Sequence, residues 1–195
     1  MASPQPPAVR TRLILASASP QRREILDQLG VAFIVKPADV EELDEGPPEF
    51  VVLENARRKV DAVPGDFVLG CDTEVFLDGQ VFGKADDEAG AERYLRQLSG
   101  RTHQVYSGIA LRGPDGERAG VAVTDVTFRA LSDAEIAWYL ATGEWRDRAG
   151  AYAIQGRGSA LVERIEGDFW NVVGLPVPKL LELAPDLVTS SGEQG

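Results

Sequence analysis

Cysteine and histidine are the scarcest reactive side chains in this 195-residue sequence, which contains one of each, Cys71 and His103. A single cysteine excludes an intrachain disulfide and a cysteine-rich zinc site. A single histidine excludes a histidine-rich metal site, and a Ser-His-Asp triad would have to use His103. The scarcity therefore removes two common kinds of metal site and leaves one histidine for catalysis.

Long apolar runs and an excess of positive charge are also missing. No stretch approaches the roughly 18 apolar residues of a membrane-spanning helix, and the opening MASPQPPAVR contains no apolar signal core. We therefore expect a cytoplasmic protein with no membrane partner. The 31 acidic residues outnumber the 20 basic ones, for a formal net charge of −11, which argues against non-specific nucleic-acid binding. An anionic ligand would need a local basic cluster or a metal ion.

The remaining composition is that of an ordinary globular protein, with 44% hydrophobic and 26% charged residues. Residues 1–11 and 185–195 are predicted to be loose tails, because they are rich in proline, alanine or small polar residues. Residues 12–184 are predicted to form one domain, since no linker divides them.

The first half of this domain combines strands and helices. RLILAS predicts a buried strand, and PQRREILDQLG predicts a helix with Ser19 as N-cap, Pro20 at its first position and Gly30 as its C-terminal stop. VAFIVKPADVEEL predicts a second strand that runs into an acidic loop, and a second helix begins near Pro48. The stretch DFVLGCDTEVFLDGQVFGK predicts two strands joined by an Asp-Gly turn.

The second half contains a helix in DDEAGAERYLRQLSG and a long hairpin that turns at residues 113–116. Ser132 and Glu135 form the pattern of a capping box and start another helix. Residues 152–176 predict short strands alternating with glycine loops, and PKLLELA predicts the last helix. Because helices and strands mix without strict alternation, the fold class is α/β with a mixed sheet, not a doubly wound parallel sheet.

The turn SASPQRRE is the first candidate for chemistry. The free N–H groups of a helix N-terminus bind phosphate, and an arginine such as Arg22 adds bidentate contacts. Ser17 and Ser19 supply hydroxyls at the same turn. The alternative is an ordinary capped helix that exposes both Arg22 and Arg23, and the pattern alone favours neither interpretation.

Asp72 is the more informative residue, because it interrupts the apolar run FVLGCDTEVFL. A buried carboxylate is costly unless it is paired or bound to a cation. The pattern therefore favours a functional carboxylate over a solvent-facing acid on an edge strand.

Other signals are weak when each is taken alone. Lys59 and Lys84 resemble ordinary surface lysines, and the acidic loop DVEELDE could offer oxygen ligands to Mg²⁺ or be only a loop. His103 lacks the G-x-S-x-G pattern of a nucleophile elbow and is predicted to be structural. Cys71 is predicted to pack in the strand, and the sequence contains no P-loop motif.

Several blocks, in order along the chain, together resemble the Maf family of nucleoside triphosphate pyrophosphatases. They extend over roughly residues 12–184 and comprise LILASASPQRREIL, NARRKV, LGCDTEV, GKADD, LRQLSGRTHQVYSG, YAIQG and NVVGLP. The resemblance implies an elongated α/β fold with a twisted mixed sheet, similar to inosine triphosphate pyrophosphatases, with two lobes flanking a nucleotide cleft. It also implies hydrolysis between the α- and β-phosphates with Mg²⁺ or Mn²⁺, a cytoplasmic location and, in many members, a homodimer.

The resemblance also assigns roles to residues of this chain. The catalytic carboxylate, a proton acceptor, falls on Asp72, and the acidic metal position falls on Glu42, beside Glu41, with Asp72 as a further ligand. The phosphate-facing positions fall on Ser17, Arg22, Lys59 and Lys84.

Substrate choice is implied by three further positions. Thr73 and Gln155 are similar to the branch that acts on dTTP and UTP, whereas the 7-methyl-GTP branch tends to carry Gln and Glu there. Gln21 departs from the usual Ser-Pro-Arg-Arg and weakens the pyrimidine assignment. Glu74 stands where an apolar residue is common, and it either contacts the metal or faces solvent.

The resemblance leaves two alternatives to a dTTP/UTP pyrophosphatase. One is the same reaction on another nucleotide, such as 7-methyl-GTP. The other is a regulator of septum formation that binds a nucleotide and hydrolyses it little. The presence of Asp72 and both lysines favours the enzyme.

Overall fold

The computed structural model describes residues 12–189. In that range the chain forms seven β-strands, six α-helices and one 3₁₀-helix (η1). They are β1 (Leu13–Leu15), α1 (Pro20–Gln28), β2 (Phe33–Val35), α2 (Pro48–Ala62), β3 (Val68–Leu77), β4 (Gln80–Phe82), α3 (Glu88–Leu98), β5 (Thr102–Gly113), β6 (Gly116–Phe128), α4 (Asp133–Leu140), η1 (Arg157–Leu161), β7 (Val162–Glu166), α5 (Phe169–Val173) and α6 (Val177–Leu183). None of the helices described is long and apolar enough to cross a membrane.

Local sequence signals set the ends of several elements. Ser19 caps α1, Pro20 is its first residue, and Gly30 adopts a φ of 67° just beyond its end. The β3–β4 hairpin turns at Asp78 and Gly79, which both have positive φ, as a two-residue turn of this kind requires. The predicted ends of these elements are confirmed.

All seven strands join one mixed sheet in the order β2-β1-β3-β5-β6-β7, with β4 also paired to β3. The strands β2, β1 and β3 are parallel to one another, and the remaining pairs are antiparallel. The predicted α/β class with a mixed sheet is confirmed.

One edge of β3 has a gap in its strand pairing. On one side β5 pairs with β3 from Val68 to Phe76. On the other side β1 pairs only at residues 68–69, and β4 pairs only at residues 75–77. Among the strands of the described range, none therefore pairs with residues 70–74 on that side, and their edge is open to a cleft.

The hydrophobic core is divided between the two ends of β3 and β5. At one end Val75 and Val105 pack with residues from α3 and α4. At the other end Leu69 and Ile109 pack with residues from α1 and α6. These clusters form two lobes, and the open edge of β3 lies at the level where they meet.

Residues 152–176 differ from the predicted series of short strands. They contain one strand, β7, together with η1 and α5. A Cβ on Gly158 would lie 2.5 Å from the carbonyl oxygen of Ala153, so the chain folds back on itself more tightly than an extended strand allows.

The C-terminal segment also differs from its prediction. Leu187 is buried and packs in the cluster with α1 and α6, so the predicted loose tail from residue 185 is wrong for this residue. Burial of its apolar side chain holds this part of the chain against the domain. The predicted N-terminal tail, residues 1–11, lies outside the described residues, as do residues 190–195.

Candidate active site

A cleft of about 580 Å³ opens beside the unpaired edge of β3. The first lobe contributes the start of α1 and the open segment of β3, and the second contributes residues 146–149, Tyr152 and Gln155. Every site residue predicted from the sequence lines this cleft: Ser17, Gln21, Arg22, Glu42, Lys59, Asp72, Thr73, Lys84 and Gln155.

Asp72 is buried at the floor of this cleft, with an exposed fraction of 4%. Its Oδ1 lies 2.6 Å from Lys59 Nζ, and its Oδ2 accepts a hydrogen bond from Asn55 Nδ2 at 3.0 Å. Lys59 Nζ also lies 2.6 Å from Glu42 Oε1 at the cleft surface. The buried carboxylate thus has the partner that its burial demands.

Two glycines allow α2 to carry Lys59 and Asn55 to Asp72. A Cβ on Gly108, the cross-strand partner of Asp72, would lie 2.0 Å from the carbonyl oxygen of Val52 in α2. A Cβ on Gly70 would lie 2.2 Å from the carbonyl oxygen of Ala56. Only glycine permits this approach, which sets the helix close enough for its side chains to reach the strand.

The opposite face of β3 holds Arg22, which is buried and, within residues 12–189, bonded only to neutral groups. Its guanidinium donates to Ser17 Oγ at 2.9 Å, to the carbonyl oxygen of Gly174 at 2.8 Å and to Thr73 Oγ1 at 3.2 Å. Thr73 Oγ1 also lies 2.8 Å from the buried Ser107 Oγ. The network fixes Arg22 at the N-terminus of α1 and leaves its positive charge unneutralised. By contrast, Arg23 is exposed and donates to the carbonyl oxygen of Ala18.

Side chains at the rim of the cleft connect the two lobes. Gln21, in the first turn of α1, lies against Arg148 of the second lobe, 2.8 Å from both of its terminal nitrogens. Lys84 and Gln155 are exposed at the rim. Glu41 does not line the cleft, but its carbonyl oxygen accepts a hydrogen bond from Arg58.

Glu74 lies two residues after Asp72, on the same side of β3, and its Oε2 is buried without a hydrogen-bond partner among the described residues. Burial, followed by the negative charges of Asp72 and Glu42, raises the pKa of Glu74 to about 8. Such crowded carboxylates are stabilised by a cation.

The acidic side chains described at the floor of the cleft do not form a complete metal site by themselves. Within residues 12–189 no three Asp, Glu, His or Cys side chains group closely enough to hold a metal by themselves. Mg²⁺, however, commonly takes one or two protein carboxylates together with substrate phosphates. One or two of the carboxylates at this floor, such as Asp72 with Glu42 or the unpartnered oxygen of Glu74, therefore fit a cation that is shared with a phosphate ligand.

The single histidine and the single cysteine do not take part in this arrangement. His103 is buried, with its Nε2 2.9 Å from Tyr152 Oη, and burial lowers its pKa to about 4. Burial also raises the pKa of the Cys71 thiol, which keeps it protonated. Neither residue lines the cleft, as their predicted structural roles require.

Sequence reasoning missed Asn55, Ser107 and Arg148 as members of the site. Asn55 lies within the NARRKV block, but nothing local indicates that it reaches Asp72, 17 residues away. Ser107 and Arg148 are positioned by strand pairing and by a contact between lobes, for which the sequence carries no short-range signal.

A mixed sheet with a gap beside a buried acid, and a cleft lined by an arginine that has no acidic partner among the described residues, define an α/β enzyme that acts on a phosphate compound. The family model described as "Maf-like protein" matches residues 12–187. This chain belongs to the Maf family.

Curated relatives are similar in sequence to this chain over nearly the full length of the domain. A protein of Anaeromyxobacter dehalogenans (strain 2CP-C) named "dTTP/UTP pyrophosphatase" is 50% identical over 178 residues, which are 88% of this chain and 92% of the relative. Proteins with the same name from Deinococcus radiodurans and Thermus thermophilus are 46% and 47% identical, covering 91% and 94% of this chain and 94% and 96% of theirs.

A solved structure described as "The structure of the Staphylococcus aureus Ham1 protein" is also similar. It is 18% identical, with a TM-score of 0.44, and the match covers 60% of this chain and 71% of that one. This likeness is too distant to bear on the function.

Proposed function

We propose that this protein hydrolyses dTTP and UTP between the α- and β-phosphates, releasing the nucleoside monophosphate and pyrophosphate. The observation that carries the proposal is the buried Asp72, held by Lys59 and Asn55 at the floor of a cleft that also presents Arg22. The relatives named dTTP/UTP pyrophosphatase support the choice of substrate.

Asp72 is the proton acceptor in this proposal. Lys59 and Asn55 each occupy one of its oxygens, which fixes the orientation of the carboxylate, and each oxygen keeps a further lone pair. A water molecule placed between this carboxylate and the α-phosphorus could lose its proton to Asp72 as it attacks. Lys59 would compensate the negative charge of Asp72, and Glu42 would contact Lys59 from the cleft surface.

The N-terminus of α1 and Arg22 bind the phosphate chain in this proposal. The helix end offers N–H groups, and Arg22 offers a guanidinium whose partners, Ser17 and Thr73 among them, are all neutral. Lys84 supplies a further positive charge from the rim. These groups stabilise the negative charge that develops on the leaving pyrophosphate.

One or two carboxylates from among Asp72, Glu42 and Glu74, together with the substrate phosphates, would hold the divalent cation, Mg²⁺ or Mn²⁺, that reactions of this kind generally use. When bound, the cation would neutralise phosphate charge and favour an ionised water nucleophile. Glu74 thus takes a ligand role in the proposal, for which its unpartnered Oε2 is the supporting observation.

Thr73 and Gln155 are proposed to contribute to specificity in different ways. Gln155 is exposed at the rim, where its amide is free to meet a base. The Thr73 hydroxyl is bonded to Arg22 and Ser107, so we assign it the positioning of Arg22. A homodimer and a cytoplasmic location remain predictions.

A panel of dTTP, UTP, CTP, GTP and 7-methyl-GTP, assayed for pyrophosphate release with Mg²⁺ or Mn²⁺, tests the proposal. We expect the highest kcat/KM with dTTP and UTP. A preference for 7-methyl-GTP would show that the proposed substrate is wrong, whereas the proposed reaction would stand. Measurable nucleotide binding without turnover on any member would favour the regulator of septum formation.

A further inference from the structure

Arg148 is a second cleft arginine without an acidic partner. It lies in the loop after α4, is partly buried and lines the cleft. That loop is anchored by an isolated bridge between Ala149 and Lys84. Among residues 12–189, Arg148 has no carboxylate within 4.0 Å, which it shares with the exposed Arg23, Arg93, Arg146 and Arg157. Eight other arginines pair with acids: Arg57, Arg58, Arg96, Arg101, Arg112, Arg118, Arg129 and Arg164.

The partner that Arg148 does have is neutral. With the Gln21 amide oriented so that both of its ends are satisfied, Nε2 donates to Ser19 Oγ and Oε1 accepts from both terminal nitrogens of Arg148, each at 2.8 Å. A carboxylate at this position would cancel the guanidinium charge, but an amide oxygen orients the group and leaves its charge available.

The contact between Gln21 and Arg148 lies at the N-terminus of α1. Gln21 lies in the first turn of α1, directly after Pro20 and next to the N-cap Ser19. The Arg148 guanidinium of the second lobe is therefore held at the same helix N-terminus that Arg22 approaches from the first lobe. Two guanidinium groups whose hydrogen-bond partners among the described residues are neutral therefore line one cleft, and a polyanion in it would be bound from both lobes.

We propose that Arg148 binds the phosphate chain of the nucleotide, closing from the second lobe the site that α1 and Arg22 form in the first, with Gln21 as its positioning residue. The inference rests on the proposed function. Gln21 holds the guanidinium by a neutral hydrogen bond, and a phosphate oxygen replaces the amide oxygen as the stronger acceptor. An arginine at position 21 would bring two guanidinium groups into contact, so glutamine suits this arrangement.

Three variants and two ligands test the proposal: Arg148→Gln, Arg148→Lys, and the control Arg164→Gln, which removes an exposed β7 arginine paired with Glu166. Calorimetric titration with inorganic tripolyphosphate, without divalent cation so that no turnover occurs, measures the phosphate contact in the absence of a base. The KM and kcat for dTTP with Mg²⁺ are measured on the same full-length proteins.

We expect Arg148→Gln to weaken tripolyphosphate binding and to raise the KM for dTTP by about ten- to hundredfold, as the loss of a hydrogen bond to a charged group predicts. Arg148→Lys should recover part of the affinity, because it keeps the charge and loses the bidentate geometry. Arg164→Gln should match the wild type.

Unchanged tripolyphosphate affinity in both Arg148 variants would overturn the inference, even with a raised KM for dTTP, since Arg148 would then contact the base or sugar. If Arg148→Gln fails to fold, Arg148→Lys decides: wild-type affinity with a wild-type KM overturns the proposal. These outcomes differ from failure of the proposed function, in which the wild-type protein itself releases no pyrophosphate from dTTP.

Discussion

Lys59 Nζ and Asp72 Oδ1 lie 2.6 Å apart, and their side chains are only 9% and 6% exposed. The pair joins α2 to the open edge of β3 at the floor of the cleft. Glu42 also contacts Lys59, but its side chain is half exposed. Among the described residues, Lys59 and Asp72 therefore have no buried ion-pair partner other than each other. The ion pair therefore serves both folding and chemistry: it holds α2 on the sheet, and it fixes the Asp72 side chain in a cleft that water and phosphate can enter.

Removal of Lys59 should leave Asp72 as an uncompensated buried charge. Breaking a buried ion pair from one side typically costs 3–5 kcal/mol, so we expect Lys59→Met to lower the free energy of unfolding by about 3 kcal/mol. The double variant Lys59→Met/Asp72→Asn should recover part of that loss. Urea unfolding at pH 7 is measured for Lys59→Met, Asp72→Asn and the double variant. A double-variant loss equal to the sum of the two single-variant losses would argue against the coupling.

Gly108 should tolerate no side chain, because a Cβ there would lie 2.0 Å from the Val52 carbonyl oxygen. We expect Gly108→Ala to push α2 away from β5, lower the free energy of unfolding by about 3 kcal/mol and reduce turnover by displacing Lys59. Gly113→Ala, whose Cβ would meet no atom closer than 3.9 Å, is the matched control. Equal thermal stability of the two variants would show that α2 is not held by this close approach.

Buried His103 should make the protein less stable in acid. Its pKa in the folded protein is about 4, below the ordinary value of 6.5, because burial disfavours the charged ring. The unfolded chain therefore takes up a proton below pH 6.5 that the folded chain resists until about pH 4. The contribution of His103 to the free energy of unfolding is fully present above pH 6.5, and it falls by about 3 kcal/mol as the pH drops to 4.

Urea unfolding at pH 7, 5.5 and 4.5 of the wild type and His103→Gln measures this contribution. The variant should start from a lower stability, since the contact with Tyr152 changes, and should lose less between pH 7 and 4.5. Parallel pH profiles would mean that His103 titrates normally in the folded protein.

Much of the fold could be predicted because its signals are local. The capping box of Ser132 and Glu135 occurs as expected, with both reciprocal hydrogen bonds present. The start of α1 and the Asp78–Gly79 turn likewise depend on a few adjacent residues. Residues 152–176 were less predictable, because the glycines there serve close contacts such as that of Gly158 with Ala153, which no sequence period shows.

The site was predictable only in part, because many of its contacts join residues that are far apart in the sequence. Asp72 could be found because a charge within an apolar strand is a local anomaly. Lys59 and Lys84 could not be distinguished by sequence, although the structure buries the first against Asp72 and exposes the second. The partners of Arg22 include Gly174, 152 residues away, and such contacts depend on the assembled fold.

The central claim, that Asp72 is the acid on which pyrophosphate release depends, is tested most directly by Asp72→Asn. Asparagine keeps the size of the side chain but cannot accept the proton, and general-base catalysis is worth about 10²–10⁴ in rate. The control is Asp115→Asn, at a site 83% exposed in the β5–β6 turn. With circular dichroism and urea unfolding showing a folded variant, we predict that kcat for dTTP falls by about a thousandfold while the control keeps wild-type turnover. A folded Asp72→Asn protein that releases pyrophosphate at the wild-type rate would contradict the account.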